Sequence, residues 1–277
     1  MLFNKSRVIV GLTTYYNENL MISMSGMAQL GKHVTIIIHN DNPETKITRR
    51  KIRNMGYKGK LYIINSEHNV GLRNARLNII DFIQQHNIHA DWFVFSDDDD
   101  ILLNVDVPSV GKNHFALIQN MAVIRTRLID VLRVIKDKNN FFIDNENIYL
   151  VRPHVGLAGT MVRTEYVLKM AYVLHKIHPQ ISDIDESINF RPPVDMMMWS
   201  TLNIVARHNN PDATPIYMDT INYIATDIDT TPTKYGMLIQ PAKNAHKQIM
   251  AVIAKYDAAV RAALVTDAAQ AGQEENA

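Results

Sequence analysis

The stretch Trp92–Leu103 reads WFVFSDDDDILL, in which an apolar run is followed by four consecutive aspartates and then by apolar residues again. The first part, Trp92–Phe95, has the length and the aromatic and β-branched composition of a buried strand. Adjacent carboxylates at the end of such a strand repel one another, so they stay ionised only beside a cation or with strong hydrogen bonds. The stretch therefore predicts a buried strand that ends at a charged edge.

The residues before this stretch alternate between short apolar runs and helical patterns. The predicted strands are Val8–Leu12, Val34–Ile38 and Leu61–Ile64, and the predicted helices are Leu20–Ala28, Thr45–Met55 and Leu72–Ile88. Strands that alternate with helices of this length are joined by right-handed crossovers. The sequence therefore predicts an α/β fold with a Rossmann-like, mostly parallel central sheet and helices on both faces.

A polar cluster follows each predicted strand of this first part. The clusters are Thr13–Glu18, His39–Pro43, Asn65–Asn69 and Ser96–Asp100. In open α/β sheets, ligands bind beyond the carboxyl ends of the strands. We therefore expect these clusters to form one binding site.

The pattern after Asp100 is less regular. Helices are predicted over Ile124–Ile135, Thr164–His175, Asp195–Val205 and Ala245–Val265, and strands over Gly156–Val162 and Tyr217–Ile224. The apolar face of the last helix predicts that it packs on the body or on a partner. The residues after Thr266 have little to bury and are predicted to be frayed.

Composition limits the classes of partner. The chain has 277 residues and a net charge of +1, so no global field directs it to nucleic acid or to an anionic membrane. The absence of cysteine excludes disulfides and thiolate chemistry and makes the reducing cytoplasm the simpler expectation. No run approaches the ~20 apolar residues of a membrane-spanning helix, and Met1–Leu12 lacks the pattern of a signal peptide.

The acidic run has two physical interpretations. Oxygen ligands without cysteine favour Mg²⁺ or Mn²⁺, which often complete their coordination with phosphate oxygens. The alternative is a solvated acidic turn or helix N-terminus, in which aspartates accept from backbone amides. Metal binding is favoured because the run follows a buried strand at the predicted ligand-binding edge.

In their order and spacing, these motifs resemble those of inverting glycosyltransferases of the GT-A fold, particularly family 2. The matching segments are TTYYNE (Thr13–Glu18), HNDNPE (His39–Glu44), NVGLRNARLN (Asn69–Asn78) and SDDDD (Ser96–Asp100). The resemblance implies transfer of a sugar from a nucleotide donor, such as a UDP-sugar, to an acceptor hydroxyl, with Mn²⁺ or Mg²⁺ as cofactor.

The resemblance also implies which residues bind the donor. They are Thr14, Tyr15, Asn17, Asn40, Asp41, Asn69, Gly71, Arg73, Arg76 and Asp98. Tyr15 would stack on the base, whereas Asn40 and Asp41 would read its edge. Gly71 would allow the backbone to approach the diphosphate, and the two arginines would offer it a planar fork. The family more often has Asp-Asp-Gly-Ser at the second strand, so the identity of the base stays open.

Asp97 and Asp99 would form the Asp-x-Asp element that holds the metal, with Asp98 or Asp100 able to share its duties. The family also has a late metal-binding histidine, which this chain lacks at the matching place. Asp227 or Asp229 would substitute for it.

The catalytic base implied by the resemblance is Asp195 in RPPVDMMMW, where Val194 stands in place of the family's glutamate. An aspartate after two prolines is also a common helix cap, so a purely structural role is the alternative. The other candidates for the base are Asp183, Asp185 and Glu186.

We expect a catalytic domain over residues 1–240, with a nucleotide-sugar-binding half (1–105) and an acceptor half (106–240), followed by a helix and tail (241–277). The acceptor would be a surface glycan or a hydroxymethylated base in DNA, and the oligomeric state stays open. Thr45–Lys60 is basic and contains no acidic residue. Such a segment is either a solvated face or a phosphate-binding surface.

Two other functions are compatible with parts of the sequence. A nucleotidyltransferase acting on sugar phosphates would use similar metal chemistry, but it needs a glycine-rich loop after the first strand, where this chain has TTYYNE. A noncatalytic nucleic-acid-binding module would explain the basic segment and leave SDDDD without a role.

Overall fold

The helices and strands follow from a computed structural model that describes residues 7–125, 148–151, 157–186, 194–227 and 242–274. The strands are β1 (Val8–Thr14), β2 (Val34–Asn40), β3 (Lys60–Asn65), β4 (Trp92–Asp97), β5 (Ile101–Leu102), β6 (His114–Arg125), β7 (Ile148–Val151), β8 (Met161–Arg163) and β9 (Thr214–Asp227). The helices are α1 (Leu20–Met27), α2 (Arg49–Asn54), α3 (Gly71–Gln85), α4 (Thr164–Glu186), α5 (Val194–Asn209) and α6 (Ala242–Glu274).

The strands form one sheet in the order β3-β2-β1-β4-β8-β6-β9-β5, with β7 paired to β6. The first four strands in this order are parallel, so their carboxyl ends share one edge. Beyond them the sheet is mixed, because β8 runs antiparallel to β4 and to β6, whereas β9 is parallel to β6. The predicted α/β class and its Rossmann-like parallel half are confirmed.

Both faces of the parallel half are covered, which explains why its strands are continuous apolar runs. Val8, Val10 and Leu12 of β1 pack with α1 and α2 on one face. Ile9, between them, packs on the other face with α3 and with Phe93 of β4. All seven residues of β1 are buried, and the strand lies at the centre of the parallel half.

The second part of the chain departs from three of the sequence predictions. The strand expected over Gly156–Val162 begins only at Met161, as β8. Ile124 was expected in a helix but lies in β6, where it pairs with β7 and β9, and residues 126–147 lie outside the described part. The tail was expected to fray after Thr266, yet α6 continues to Glu274. The residues of this last stretch, DAAQAGQE, include several strong helix formers, and Asp267 forms an ion pair with Lys176 of α4.

Helix α6 packs on the body of the protein, as its apolar face predicts. Its buried residues Ile253, Tyr256, Val260 and Leu264 belong to the same core cluster as residues of α4 and α5. None of the described helices combines the length and the apolar character that crossing a bilayer requires.

Gly159 allows β9 to lie close to the end of β4. Its φ is +75°, its amide donates to the Phe95 carbonyl over 2.9 Å, and an added Cβ would lie 2.5 Å from Cγ of Tyr223. A side chain at this position would be strained in its backbone and would displace the tyrosine ring.

We predict that Gly159→Ala lowers the free energy of unfolding by about 2–5 kcal/mol, because backbone strain and overpacking add. The matched control is Gly71→Ala, since Gly71 has a φ of +78° but no atom within 4 Å of an added Cβ. The control should lose only the backbone part, about 1–2 kcal/mol. Urea unfolding measures both, and equal losses would show that the tyrosine contact does not matter.

Candidate active site

The carboxyl ends of β1 and β4 bring the first-strand motif against the acidic run. The parallel register places Thr13 beside Asp97. The Thr13 hydroxyl donates to Oδ1 of Asp97 over 3.5 Å, and the Thr14 hydroxyl donates to Oδ2 of Asp98 over 2.5 Å. Two of the motifs expected in one site therefore meet there.

Arg76 connects this edge to α5. Its Nη2 lies 3.0 Å from Oδ1 of Asp97, its Nη1 donates to Oδ1 of Asp195, and its side chain is completely buried. The guanidinium carbon also lies 5.1 Å from the centre of the Phe95 ring. Burial alone would lower the pKa of Arg76, but Asp195 and Asp97 together raise it above its usual range.

The structure gives Arg76 contacts that the resemblance did not imply. The resemblance implied that Arg76 offers a fork to the donor diphosphate, whereas in the structure the two carboxylates engage both of its Nη atoms. We therefore describe Arg76 as a bridge between Asp97 and Asp195. Its partner on α5 is 119 residues away in the chain, which no local sequence pattern reveals.

Asp195 lies in the first turn of α5, as the sequence predicted. Its side chain keeps 34% of its surface exposed while it contacts Arg76, so the carboxylate is both held and accessible. The other candidates for the base, Asp183, Asp185 and Glu186, lie in the last turns of α4, and their side chains lie outside the described part of the structure.

The four aspartates of the acidic run have different surroundings. Asp100 is held by β9, because the Tyr223 hydroxyl donates to its Oδ2 over 2.6 Å and the Thr226 amide donates to its Oδ1 over 2.9 Å. The Thr226 hydroxyl also donates to the carbonyl of Asp99. Asp100 therefore holds the acidic run against β9, and no local sequence pattern predicts either partner on that strand.

Burial and mutual repulsion disfavour negative charge on this run. Burial raises the pKa of Asp98 to about 7, against the Thr14 hydrogen bond and with help from Asp99 and Asp97. Burial also raises the pKa of Asp97, although Arg76 opposes it, and it raises the pKa of Asp100 well above its usual range. A positive ion would relieve this cost.

These carboxylates fit a divalent metal that also binds phosphate. No three His, Asp or Glu side chains within the described ranges form a ready-made cation cage. Mg²⁺ and Mn²⁺ sites that act on phosphates, however, often use one or two carboxylates and take the other ligands from water and substrate. Asp97 fits such a role, because the contacts described for it fall on Oδ1 alone. Its pairing with Asp99 in a metal site stays a prediction.

The loops after β1 and β2 form a hydrogen-bonded network of amides. Asn40 is completely buried, and its Nδ2 donates to the Thr45 carbonyl over 2.5 Å and to Oδ1 of Asn65 over 3.0 Å. Nδ2 of Asn17 donates to the Thr45 hydroxyl. Asn40 therefore shapes the loop, and the base-reading role that the resemblance implied for it stays a prediction.

Tyr15 lies at the surface of this region. It is 40% exposed, Tyr16 is 39% exposed, and their rings meet edge to face with centroids 5.2 Å apart. An exposed ring of this kind can stack on a planar ligand.

Asp41 caps helix α3. Its two carboxylate oxygens accept from the amides of Val70 at 2.8 Å and Gly71 at 2.9 Å, and Oδ1 of Asn69 accepts from the same Gly71 amide at 2.9 Å. The resemblance implied that Asp41 reads a base, but both of its oxygens serve the start of the helix. Arg73 lies in the first turn of α3, and its Nη1 is 3.3 Å from Nδ1 of His178 on α4.

No protein-family model matches the chain, and no curated protein matches it. Among solved structures, TarS from S. aureus is 13% identical with a TM-score of 0.43, over 90% of this chain and 43% of that one. A mannosyltransferase from Pyrobaculum calidifontis, in complex with GDP-Man and Mn²⁺, is 10% identical with a TM-score of 0.41. The match covers 96% of this chain and 76% of the mannosyltransferase. The glycosyltransferase GlyE from Streptococcus pneumoniae is 11% identical with a TM-score of 0.40. The match covers 95% of this chain and 64% of GlyE.

This chain thus spans less than half of TarS. The mannosyltransferase and GlyE are glycosyltransferases, the class of enzyme that the sequence motifs resemble. Because every TM-score is below 0.5, none of these likenesses identifies the substrate or the site residues of this chain.

We predict that Arg76→Met lowers the free energy of unfolding by about 3–5 kcal/mol, because it leaves two partly buried carboxylates without their shared cation. Arg76→Lys should lose less, since it keeps a charge but cannot fork to both partners. Arg261→Met, at an exposed position on α6, is the control and should change stability by no more than about 0.5 kcal/mol. Guanidinium unfolding measures all three, and an Arg76→Met loss equal to the control would contradict the bridge.

Proposed function

We propose that the chain is a metal-dependent, inverting glycosyltransferase that moves a sugar from a nucleoside-diphosphate donor to an acceptor hydroxyl. The observation that carries the proposal is the bridge formed by Asp97, Arg76 and Asp195. It joins a crowded acidic run, suited to a metal and diphosphate, to an accessible carboxylate suited to act as a base. Both groups lie at the ligand-binding edge of a parallel sheet.

The donor would lie along the carboxyl ends of β1 and β4. Tyr15 would stack on the base, and Thr14 with Asp98 would line the path to the sugar. Asn69 and Gly71 would lie near the diphosphate at the start of α3, where Gly71 has open space in place of a side chain and lets the backbone approach the ligand. A UDP-sugar is the donor that the family resemblance favours.

Asp97 and Asp99 would hold Mn²⁺ or Mg²⁺. When bound, the ion would neutralise the negative charge that develops on the departing nucleoside diphosphate. Arg76 keeps Asp97 in place from the buried side, so the acidic run is held before the donor arrives.

Asp195 would take the proton of the acceptor hydroxyl. As that proton leaves, the hydroxyl oxygen forms a bond to the anomeric carbon, and the bond between this carbon and the diphosphate oxygen breaks with both electrons going to the diphosphate. The attack comes from the face opposite the leaving group, so the configuration of the sugar is inverted. Arg76 contacts Oδ1 of Asp195 and orients this carboxylate.

A thermal-shift screen of UDP- and GDP-sugars, with and without Mn²⁺, tests donor binding. A donor that binds only the folded state stabilises it by about 2.7 kcal/mol at 100 times its dissociation constant, so the melting temperature should rise. Asp99→Asn should lose the part of the shift that depends on Mn²⁺. If no nucleotide sugar raises the melting temperature even with metal, the proposed function is wrong.

Asp195→Asn tests the base. The variant should still bind the donor, because Asp195 belongs to the acceptor side, but transfer should fall by about 100-fold or more, as expected when a general base is lost. Release of nucleoside diphosphate in the presence of glycan or hydroxymethylated DNA measures transfer. The exposed Asp212→Asn is the control, and full turnover by Asp195→Asn would assign the base elsewhere.

A further inference from the structure

The segment Thr45–Lys60, which contains α2, has seven Lys or Arg residues and no Asp or Glu. Four of its cations are exposed and have no hydrogen bond or ion pair among the described residues. They are Lys46, Arg49, Arg50 and Lys58, and we call them the basic surface. Because the whole chain has a net charge of only +1, this concentration of positive charge is local.

The backbone that carries the basic surface is anchored to the core. Ile47, Ile52 and Tyr57 are buried in the core, and the Tyr57 hydroxyl donates to the Val34 carbonyl over 2.9 Å. The Thr48 hydroxyl caps α2 by accepting from the Lys51 amide at 3.2 Å. The cations are therefore presented by an ordered element, so little ordering of the backbone would be needed when a partner binds.

The same segment borders the candidate active site. The Ile47 amide donates to Asn65 at the end of β3 over 2.9 Å, and the Thr45 carbonyl accepts from Asn40 at the end of β2. Lys51 Nζ lies 3.5 Å from the Asn17 carbonyl in the loop after β1. A polyanion bound at Lys46, Arg49 and Arg50 would thus lie next to the edge of the sheet where transfer is proposed to occur. Lys58 lies beside the start of β3 and would extend the contact away from that edge.

The surroundings of these cations indicate the kind of polyanion. A helix that binds a membrane surface needs an exposed apolar face, and no large hydrophobic side chain is exposed within Thr45–Lys60. Proteins that bind single strands stack bases on aromatic rings, but the one aromatic residue of this segment, Tyr57, is buried. The segment presents positive charge and planar guanidinium groups that can donate paired hydrogen bonds. Both features suit the phosphates of a duplex.

We propose that the basic surface binds the phosphate backbone of duplex DNA and holds it beside the active site. The acceptor of the proposed transferase is then a hydroxyl on DNA, such as that of a hydroxymethylated base, and to this extent the inference rests on the proposed function. Contact through phosphates makes the binding independent of base sequence and sensitive to salt.

The experiment measures binding of the full chain to a short labelled duplex of mixed sequence over a range of salt concentrations. The test variant neutralises the basic surface with Lys46→Gln, Arg49→Gln, Arg50→Gln and Lys58→Gln. The control variant removes the same number of lysines and arginines from exposed positions elsewhere, with Lys112→Gln, Arg207→Gln, Lys255→Gln and Arg261→Gln. A single strand of equal length and vesicles of anionic lipid are the competing ligands.

We expect the test variant to bind the duplex at least about ten-fold more weakly than the parent, with a log–log salt slope smaller by about three to four, because up to four phosphate contacts are lost. The control variant should stay close to the parent. Unchanged duplex binding by the test variant, or tighter binding of the parent to single strands or vesicles, would overturn the proposal.

The thermal shift with donor and Mn²⁺ separates this proposal from the proposed function. If the test variant and the parent both respond to the donor while neither binds the duplex, the DNA surface is wrong and the transferase proposal stands. If the duplex binds as expected but no nucleotide sugar raises the melting temperature, the DNA-binding surface stands and the transferase proposal is wrong.

Discussion

Arg76 is completely buried between two carboxylates that come from different parts of the chain, Asp97 at the end of β4 and Asp195 at the start of α5. A guanidinium without partners could not be buried at this depth, because the loss of hydration would cost several kcal/mol. The two carboxylates compensate for that loss, and the guanidinium in turn holds both carboxylates in position. The geometry of the candidate site therefore depends on this shared charge, which links the parallel half of the sheet to the helix that carries the proposed base.

The acidic run shows how identical residues acquire different functions from their neighbours. Both carboxylate oxygens of Asp100 accept hydrogen bonds from β9, so this residue has a structural role. Asp97 shares its Oδ1 between Arg76 and Thr13. The Asp98 carboxylate accepts from the Thr14 hydroxyl and from the Tyr15 backbone amide. Burial, and then repulsion between neighbouring carboxylates, raises the pKa of Asp98 and Asp100. This cost is tolerated because the contacts of Asp97 and Asp100 hold the chain in place, and Oδ2 of Asp97 stays outside those contacts.

The parallel half could be predicted from sequence because its signals are local. Each of β1 to β4 is an apolar run, α3 has a regular apolar stripe, and the polar clusters fall directly after the strands, so their meeting at one edge follows from parallel geometry alone. The start of α5 at Val194 was equally accessible, since two prolines precede it. Ile124 was misassigned because a short apolar run does not distinguish a helix from the long, bulged strand β6.

The roles of individual polar residues could not be predicted in the same way, because their partners are remote in sequence. Asp41 and Asn40 follow β2 at the expected place, but only the fold shows that one caps α3 and the other holds the Thr45 loop. Arg76 matches a phosphate-binding motif, yet it is turned inward by a carboxylate on α5. A motif predicts the edge at which a residue lies, whereas the competition among nearby donors and acceptors decides what that residue binds. At this edge, the buried arginine takes the inner oxygens of Asp97 and Asp195, and chemistry on a substrate must use whatever these two residues still present to solvent.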